Sequence, residues 1–531
     1  MSQEQTEFTR HLESGEREPS NFREKLERLW KKENFVCVGL DSDWSKIPGE
    51  FKALGREEGT FQFNKQIIDA TCDLVCAYKP NIAFYEDTSE GSKALKRTVD
   101  YLHQKHPYIP VICDAKRGDI DNTNDGYVRE AFVRYKADAV TVNPYLGAEA
   151  LKPFLKREDK GIIVLAKTSN RGGGEFQDLP VSVEKIAADR EELMELIQAT
   201  GKTEIPLYLV VAYRVARHWD QNQNCGLVVG ATYPEELEQV RQLAPNVPIL
   251  IPGIGAQEAD TQKSVVAGMD KRTYGMIINS SRAIIFAQRE ELPNKEKESV
   301  GSAARRETQK LRETINFYRH NPEGLSESQK ELARALYEYG MVQFGEFELK
   351  LHEKHPNAPM SPYYINLRIL RSAPKEVKLL IAKVFSDLTA DLQFDAYADT
   401  PTSITPVVED LSFINDVPMI TPRGEKRHGS GAKIDGIFEE GKTVAVGFDD
   451  VITSGESAND AIDKLRAGGI LVKDFVVLVD REEGGAETIK NNGCKVHFAF
   501  TKSSLLRFYE REGIIDHSTY LKAVNYNPLG K

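Results

Sequence analysis

Two groups of residues in this sequence have types and spacings suited to chemistry. The first lies in VICDAKRGDIDNTN, residues 111–124. Asp114 and Lys116 stand two apart in a strand-like run, so both point to one face, and Asp119 follows in the next loop. Lys79 closes the run before it (VCAYKPN, 75–81), and Asp41 closes the one before that (FVCVGLD, 35–41). A single Asp–Lys pair reads best as a salt bridge. Five charges at the ends of three successive runs read otherwise, because buried charge is costly and such clusters concentrate at functional sites. The second group is TVAVGFDDVITSGES, residues 443–457. Here a β-run ends in two acids and a turn containing Thr453, Gly455 and Ser457. Backbone N–H groups of such a turn can cradle a phosphate. Asp449 and Asp450 can hold ribose hydroxyls, directly or through Mg²⁺.

These residues need a scaffold, and the pattern around them supplies one. Short apolar runs recur at 35–41, 75–81, 111–116, 139–144, 161–167, 226–231, 249–255 and 276–282, most with an amphipathic stretch after them. Runs without alternation suit parallel strands buried on both faces. Eight β/α units over about 250 residues predict a TIM barrel. Asp41, Lys79, Asp114, Lys116, Asn143, Lys167 and Arg282 all stand at the C-terminal ends of the runs, the end that carries the active site in such barrels. The segment 207–221 reads as a helix rather than a ninth strand, because its apolar period continues into RVARHW. Asn143 suits either a ligand contact or a turn cap; Gly172–Gly174 reads as a lid; His103 and His218 read as surface histidines.

Composition adds bounds. The chain has 531 residues, a net charge of −11 and 40% hydrophobic residues. The negative balance disfavours nonspecific nucleic-acid binding, and no apolar run is long enough for a membrane span. The N-terminus is too polar for a secretory signal. The six cysteines read as free thiols of a cytoplasmic protein. Residues 290–330 are highly charged and read as a linker with an exposed helix at about 301–319. Strands at YYINLR, TVAVGFDD, FVVLVD and KVHFAF follow it. The expected order is an N-terminal extension (1–34), a barrel (35–290), a linker (291–325) and a second α/β domain (326–531).

The strings GLD, YKPN, DAKRGDI, TSNRGGG, VVGATYPEE, PGIGAQ and SSRAII occur in the order found in orotidine 5′-monophosphate decarboxylases, and residues 35–290 resemble that family. The resemblance implies a Lys-Asp-Lys-Asp array of Lys79, Asp114, Lys116 and Asp119. It implies that Asp41 and Lys79 hold the ribose, Ser169 the pyrimidine amide, and Gln257 and Arg282 the 5′-phosphate. It implies that Asp119, Ile120 and Thr123 reach a neighbouring subunit's site, hence a homodimer or larger homo-oligomer. No cofactor or metal is implied. A metal-dependent decarboxylase or aldolase of the same barrel superfamily is the competing reading, and the TSN, GIGAQ and SRA strings weigh against it.

The 443–457 string resembles the diphosphate-ribose motif of type I phosphoribosyltransferases. FGEFELK (344–350), SPYYINLR (361–368) and LVDREEGG (478–485) narrow the resemblance to orotate phosphoribosyltransferase. It implies orotate, phosphoribosyl diphosphate and Mg²⁺ as ligands. Lys350, Tyr364 and Arg481 would lie at that site, with Arg423, Lys426 and His428 on a catalytic loop. This chain departs from the family twice. Its loop reads R-G-E-K-R-H-G, so Gly424 replaces a lysine and the loop is one residue shorter; Ser403 stands near another usual lysine position. Two readings follow: a bifunctional chain with the decarboxylase first, or a decarboxylase with a degenerate second domain that binds, oligomerises or regulates.

Overall fold

The computed structural model describes residues 21–254, 258–291, 297–348, 358–423 and 434–526. The chain divides into two compact units, residues 1–320 and 321–531. In the first, eight parallel strands form one sheet: β1 (Val36–Gly39), β2 (Val75–Lys79), β3 (Ile112–Arg117), β4 (Ala139–Val142), β5 (Gly161–Lys167), β6 (Cys225–Val229), β7 (Ile249–Pro252) and β8 (Met276–Ser280). Their order is β2–β1–β8–β7–β6–β5–β4–β3. The ends of that order meet through parallel bridges at Tyr78–Val111 and Asn81–Asp114, which close the barrel. All eight strands lie within the expected runs or extend one residue past them. The segment expected to be helical is a helix over Leu207–Arg214, continued by a wider turn over Val215–Trp219.

Two boundaries differ from the sequence reading. Residues assigned to an extension form a helix, Phe22–Trp30, that buries Phe22, Leu26, Leu29 and Trp30 in the barrel's core. Its Lys25 pairs with Asp138 at 2.7 Å, just before β4. The charged helix expected to be exposed, Val300–His320, also packs on the barrel. Val300, Ala304, Ile315 and Tyr318 form a buried stripe at helical spacing. A Cβ on Gly301 would stand 2.8 Å from the Gln66 carbonyl, so glycine permits close approach to the helix Arg56–Thr71. The helix has an apolar face as well as a charged one; its charge content hid the amphipathic stripe.

The second unit has an antiparallel pair, β9 (Val342–Phe347) with β10 (Ser361–Ile365). Its main sheet contains β11 (Ala396–Asp399), β12 (Met419–Pro422), β13 (Ile434–Asp435), β14 (Val444–Ile452), β15 (Leu471–Asp480) and β16 (Lys495–Thr501). The order is β13–β12–β11–β14–β15–β16. Only the β12–β13 pairing is antiparallel among the described strands of that sheet. Successive residues of β15 enter different cores, Phe475 and Val477 one, Val476 and Leu478 the other. Both faces of this sheet are therefore covered, as a parallel sheet requires.

Candidate active site

The barrel mouth brings three of the sequence-selected charges into a continuous chain. Lys79 Nζ donates to Asp114 Oδ2 at 2.9 Å, and Lys116 Nζ donates to Asp114 Oδ1 at 2.7 Å. Asp41 Oδ1 lies 3.8 Å from Lys79 Nζ; that oxygen is buried and has no hydrogen-bond partner. Lys79 and Asp114 are buried, whereas the Lys116 side chain is 51% exposed and reaches into the opening. Burial by itself would push the Asp114 carboxyl up, but Lys79 and Lys116 outweigh it and hold the group at about 2. Burial likewise opposes charge on Lys79, yet Asp114 and Asp41 hold its pKa above the ordinary lysine value. Asp114 and Lys79 are therefore both ionised at neutral pH.

A cavity of about 530 Å³ opens over these charges, lined by Lys79, Asp114, Lys116, Ser169, Phe176 and Pro252 among others. That volume lies in the range of small-molecule sites, roughly 300–1,000 Å³. A larger cleft, about 860 Å³, lies between Arg23, Glu27, Arg217 and Arg272. It contains none of the strand-end residues, so size does not identify the site here. Ser169 is exposed on the loop after β5. That loop, including Gly172 and Gly173, forms one wall of the cavity, and Gln177 ties it back by bonds to the Thr168 amide and hydroxyl. Arg282, exposed just after β8, pairs with no carboxylate among the described residues. Gln257 lies outside them.

Asp119 does not join the array. Its carboxylate accepts from the Ile120 amide at 2.7 Å, and it makes no ion pair among the described residues. Ile120 is 60% exposed and Thr123 is exposed beside it. Asn143 caps a turn, accepting from the Tyr145 amide at 3.0 Å. Lys167 pairs with Asp178, outside the Asp114 network. His103 and His218 are half-buried rather than fully at the surface; His103 bonds the Lys136 carbonyl, and His218 lies 3.3 Å from Glu192. The six cysteines are free, all buried except the half-buried Cys72. Sequence reading missed Thr141, on β4 within AVTVNP, whose hydroxyl donates to Asp114 Oδ1 at 2.9 Å.

In the second unit, Asp449 is buried near the end of β14 and Asp450 is half-buried beside it. Burial, then the neighbouring Asp450 charge, pushes the Asp449 carboxyl well above the usual range. The following turn leads into the helix Glu456–Ala467, with Gly455 at φ 80° before it. The turn presses on Gly485: a Cβ on Gly455 would meet the Gly485 carbonyl at 2.8 Å. Arg481 bonds the Ile452 carbonyl through its amide and lies beside the same turn; its Nε is buried without a hydrogen-bond partner. Tyr364 on β10 stacks on Phe347 with centroids 5.6 Å apart. Arg423 pairs with Asp435. Ser403 follows β11 and is half-buried. Lys350, Lys426 and His428 lie outside the described residues, as does Gly424. Two adjacent carboxylates form an oxygen-donor set that suits Mg²⁺ carried by a phosphate ligand.

A closed parallel barrel with its charges gathered at the strand C-termini is the architecture of a TIM-barrel enzyme. The chain belongs to the orotidine 5′-phosphate decarboxylase / HUMPS family, whose model matches residues 34–292. It is 44% identical over 300 residues to the orotidine 5′-phosphate decarboxylase of Cupriavidus metallidurans, covering 56% of this chain and 99% of that one. The structure of Leishmania donovani UMP synthase is 32% identical, covers 95% of this chain and 99% of its own, and superposes with a TM-score of 0.46. The orotate phosphoribosyltransferase of Aeropyrum pernix is 26% identical over 35% of this chain and 99% of its own, with a TM-score of 0.29.

Proposed function

We propose that the first unit decarboxylates orotidine 5′-monophosphate to UMP and the second forms that substrate from orotate and phosphoribosyl diphosphate. The chain is then a bifunctional, cytoplasmic UMP synthase with the decarboxylase first. The observation that carries the first half is the Lys79–Asp114–Lys116 chain at the barrel mouth. Breaking the C6–CO₂ bond leaves its electron pair on C6, with no adjacent π-acceptor. Charges held in place before the reaction serve that transition state best. Asp114, beside the substrate carboxylate, repels it by about 4 kcal/mol for unit charges 4 Å apart at an effective dielectric of 20. CO₂ departure relieves this. Lys116 stabilises the anion and gives its proton to C6, yielding UMP. Asp41 and Lys79 hold the ribose hydroxyls, and the unpartnered Asp41 oxygen suits that role. Ser169 reads the pyrimidine amide, and Gln257 and Arg282 hold the phosphate. Binding energy from that distant group offsets the repulsion at the reacting end.

The site is shared in a homodimer on this reading. Asp119 has no ion pair among the described residues, and it neighbours an apolar surface of Ile120, with Tyr145 79% exposed on the next loop. A second copy covering that surface brings Asp119, Ile120 and Thr123 to its partner's array. In the second unit, the 449–457 turn and Arg481 suit the diphosphate-ribose ligand, and Mg²⁺, when bound, neutralises the diphosphate. Tyr364 and Lys350 serve orotate binding on this reading; Arg423, Lys426 and His428 act on the leaving diphosphate. Gly424 and Ser403 cost that half two cations. Charge-assisted hydrogen bonds contribute roughly 1.5–3 kcal/mol each, so transfer is slower than a typical enzyme's.

The test uses the purified full chain in two assays. Orotidine 5′-monophosphate alone is expected to give UMP; no UMP sinks the proposal. Orotate with phosphoribosyl diphosphate and Mg²⁺ is expected to turn over below about 10 s⁻¹, the typical enzyme median. Turnover at or above that rate would mean that other cations replace the missing two.

A further inference from the structure

The bond from Thr141 to Asp114 belongs to a larger arrangement. Strand β3 pairs in register with β4 at Ile112–Ala139 and Cys113–Val140, and next at Arg117–Val142. Four steps on β3 therefore span two on β4, so the segment carrying Asp114, Ala115 and Lys116 bulges away from its neighbour. Lys116 sits in this bulge at φ 49°, a left-handed conformation that costs a non-glycine residue energy and persists only where surroundings enforce it. Thr141 is the β4 residue opposite the bulge.

Its side chain does what the lost ladder cannot. Thr141 Oγ1 accepts from the amides of Ala115 and Lys116, both at 3.0 Å. Its hydroxyl proton goes to Asp114 Oδ1 at 2.9 Å, the oxygen that also takes the Lys116 ammonium at 2.7 Å. A hydroxyl has one donor and two acceptor sites, and all three are used here. Thr141 is buried, 1% exposed, in the wall of the 530 Å³ cavity. One buried hydroxyl thus fixes the Asp114 carboxylate and the backbone that aims Lys116.

We infer that Thr141 is a positioning residue for the decarboxylation, setting Asp114 and Lys116 in their working geometry without itself donating a proton to substrate. This rests on the decarboxylase reading above. The chemistry demands it at the reacting carbon: Asp114 acts by proximity to the substrate carboxylate and Lys116 by reach to C6. Displacing such groups by about 1 Å can cost about 10²-fold in rate. Asp41, Lys79 and Arg282 stand on or after other strands, and of these only Lys79 touches the bulge, through its 2.9 Å bond to Asp114 Oδ2.

The experiment compares Thr141→Val, Thr141→Ala and Thr141→Ser in the full chain, with wild type in the same assay. Valine keeps the branched shape and removes the hydroxyl; serine keeps the hydroxyl. Thr141→Val and Thr141→Ala are expected to lose about 10²-fold in kcat, while KM and the Kd for UMP, which lacks the reacting carboxylate, change little. Thr141→Ser is expected to stay near wild type. Wild type unable to decarboxylate the nucleotide sinks the functional reading. Active wild type with fully active Thr141→Val or Thr141→Ala sinks this inference alone, as does Thr141→Ser losing kcat like alanine. Should valine fail to fold, alanine and serine decide it. A purely structural role predicts a lower Tm with kcat per folded molecule unchanged, and that result overturns it too.

Discussion

The two sites use opposite materials. The barrel mouth is built from charged side chains on strand ends, and its key contacts, 2.9 Å and 2.7 Å, run between its own side chains. The second unit's site is built from a turn, two acids that repel one another, and loops. Burial and the Asp450 charge push Asp449 toward its neutral form, whereas Asp114 is held ionised at about 2. A buried carboxylate between two ammonium groups is preorganised; one beside another carboxylate needs a ligand to complete it. The first arrangement suits a reaction that develops negative charge at one carbon. The second suits binding a polyanion with its cation.

The largest effect that tests this contrast is at Lys116. Lys116→Ala is expected to abolish UMP formation with the fold intact, and Asp114→Asn to do nearly the same. Circular dichroism checks the fold and a product assay the rate. Retention of more than about a tenth of kcat/KM in either variant, a barrier change of only about 1.4 kcal/mol, removes the assigned roles.

Subunit mixing gives the next largest signal. Lys116→Ala and Asp119→Ala proteins, each inactive, should regain part of the wild-type activity after exchange, because one site of each mixed dimer has both residues intact. Exchange verified by mass, without returning activity, refutes the shared site.

A chelator separates the two units more directly. EDTA is expected to stop phosphoribosyl transfer and leave decarboxylation within experimental error. The barrel array supplies lysines where a metal would need further carboxylates or histidines, and among the described residues no three His, Cys, Asp or Glu gather to hold an ion. Decarboxylation lost in EDTA and restored by Mg²⁺ or Zn²⁺ would reinstate the metal-dependent reading.

The smallest effect is on stability. Because the folded-state pKa of Asp114 is depressed to about 2, its contribution is present above the unfolded value, about 3.9, and is lost as pH falls through the folded value. Denaturant unfolding of wild type and Asp114→Asn should therefore differ most near neutral pH and converge between about pH 4 and pH 2. A constant difference across that range means that the ion pairs add nothing to folding.

Much of the barrel was legible because its strands are continuous apolar runs ending in polar residues, and the runs at Asp41, Lys79 and Asp114 announce both strand and site. Thr141 was not legible. A threonine inside AVTVNP looks like any β-branched strand residue, and its partners are a carboxylate and two amides brought together only by the bulge in β3. The second unit was read less completely. Strands β9, β11 and β12 are short or only partly buried, and VQFGEF in particular has no clean period. Composition also misled at 300–320, where many charges concealed a narrow apolar stripe.

That stripe bears on where the polypeptide can be cut. A gene fragment ending at residue 291, where the charged segment begins, would leave the helix Arg56–Thr71 without its cover and Asp73 without Arg305, which lies 2.6 Å from it. A fragment carried through residue 320 keeps Ile315 and Tyr318 in the barrel's core. Protease nicking or recombination between the two units is therefore expected to be tolerated after the helix rather than before it, because the first unit runs about thirty residues beyond the start of the charged segment.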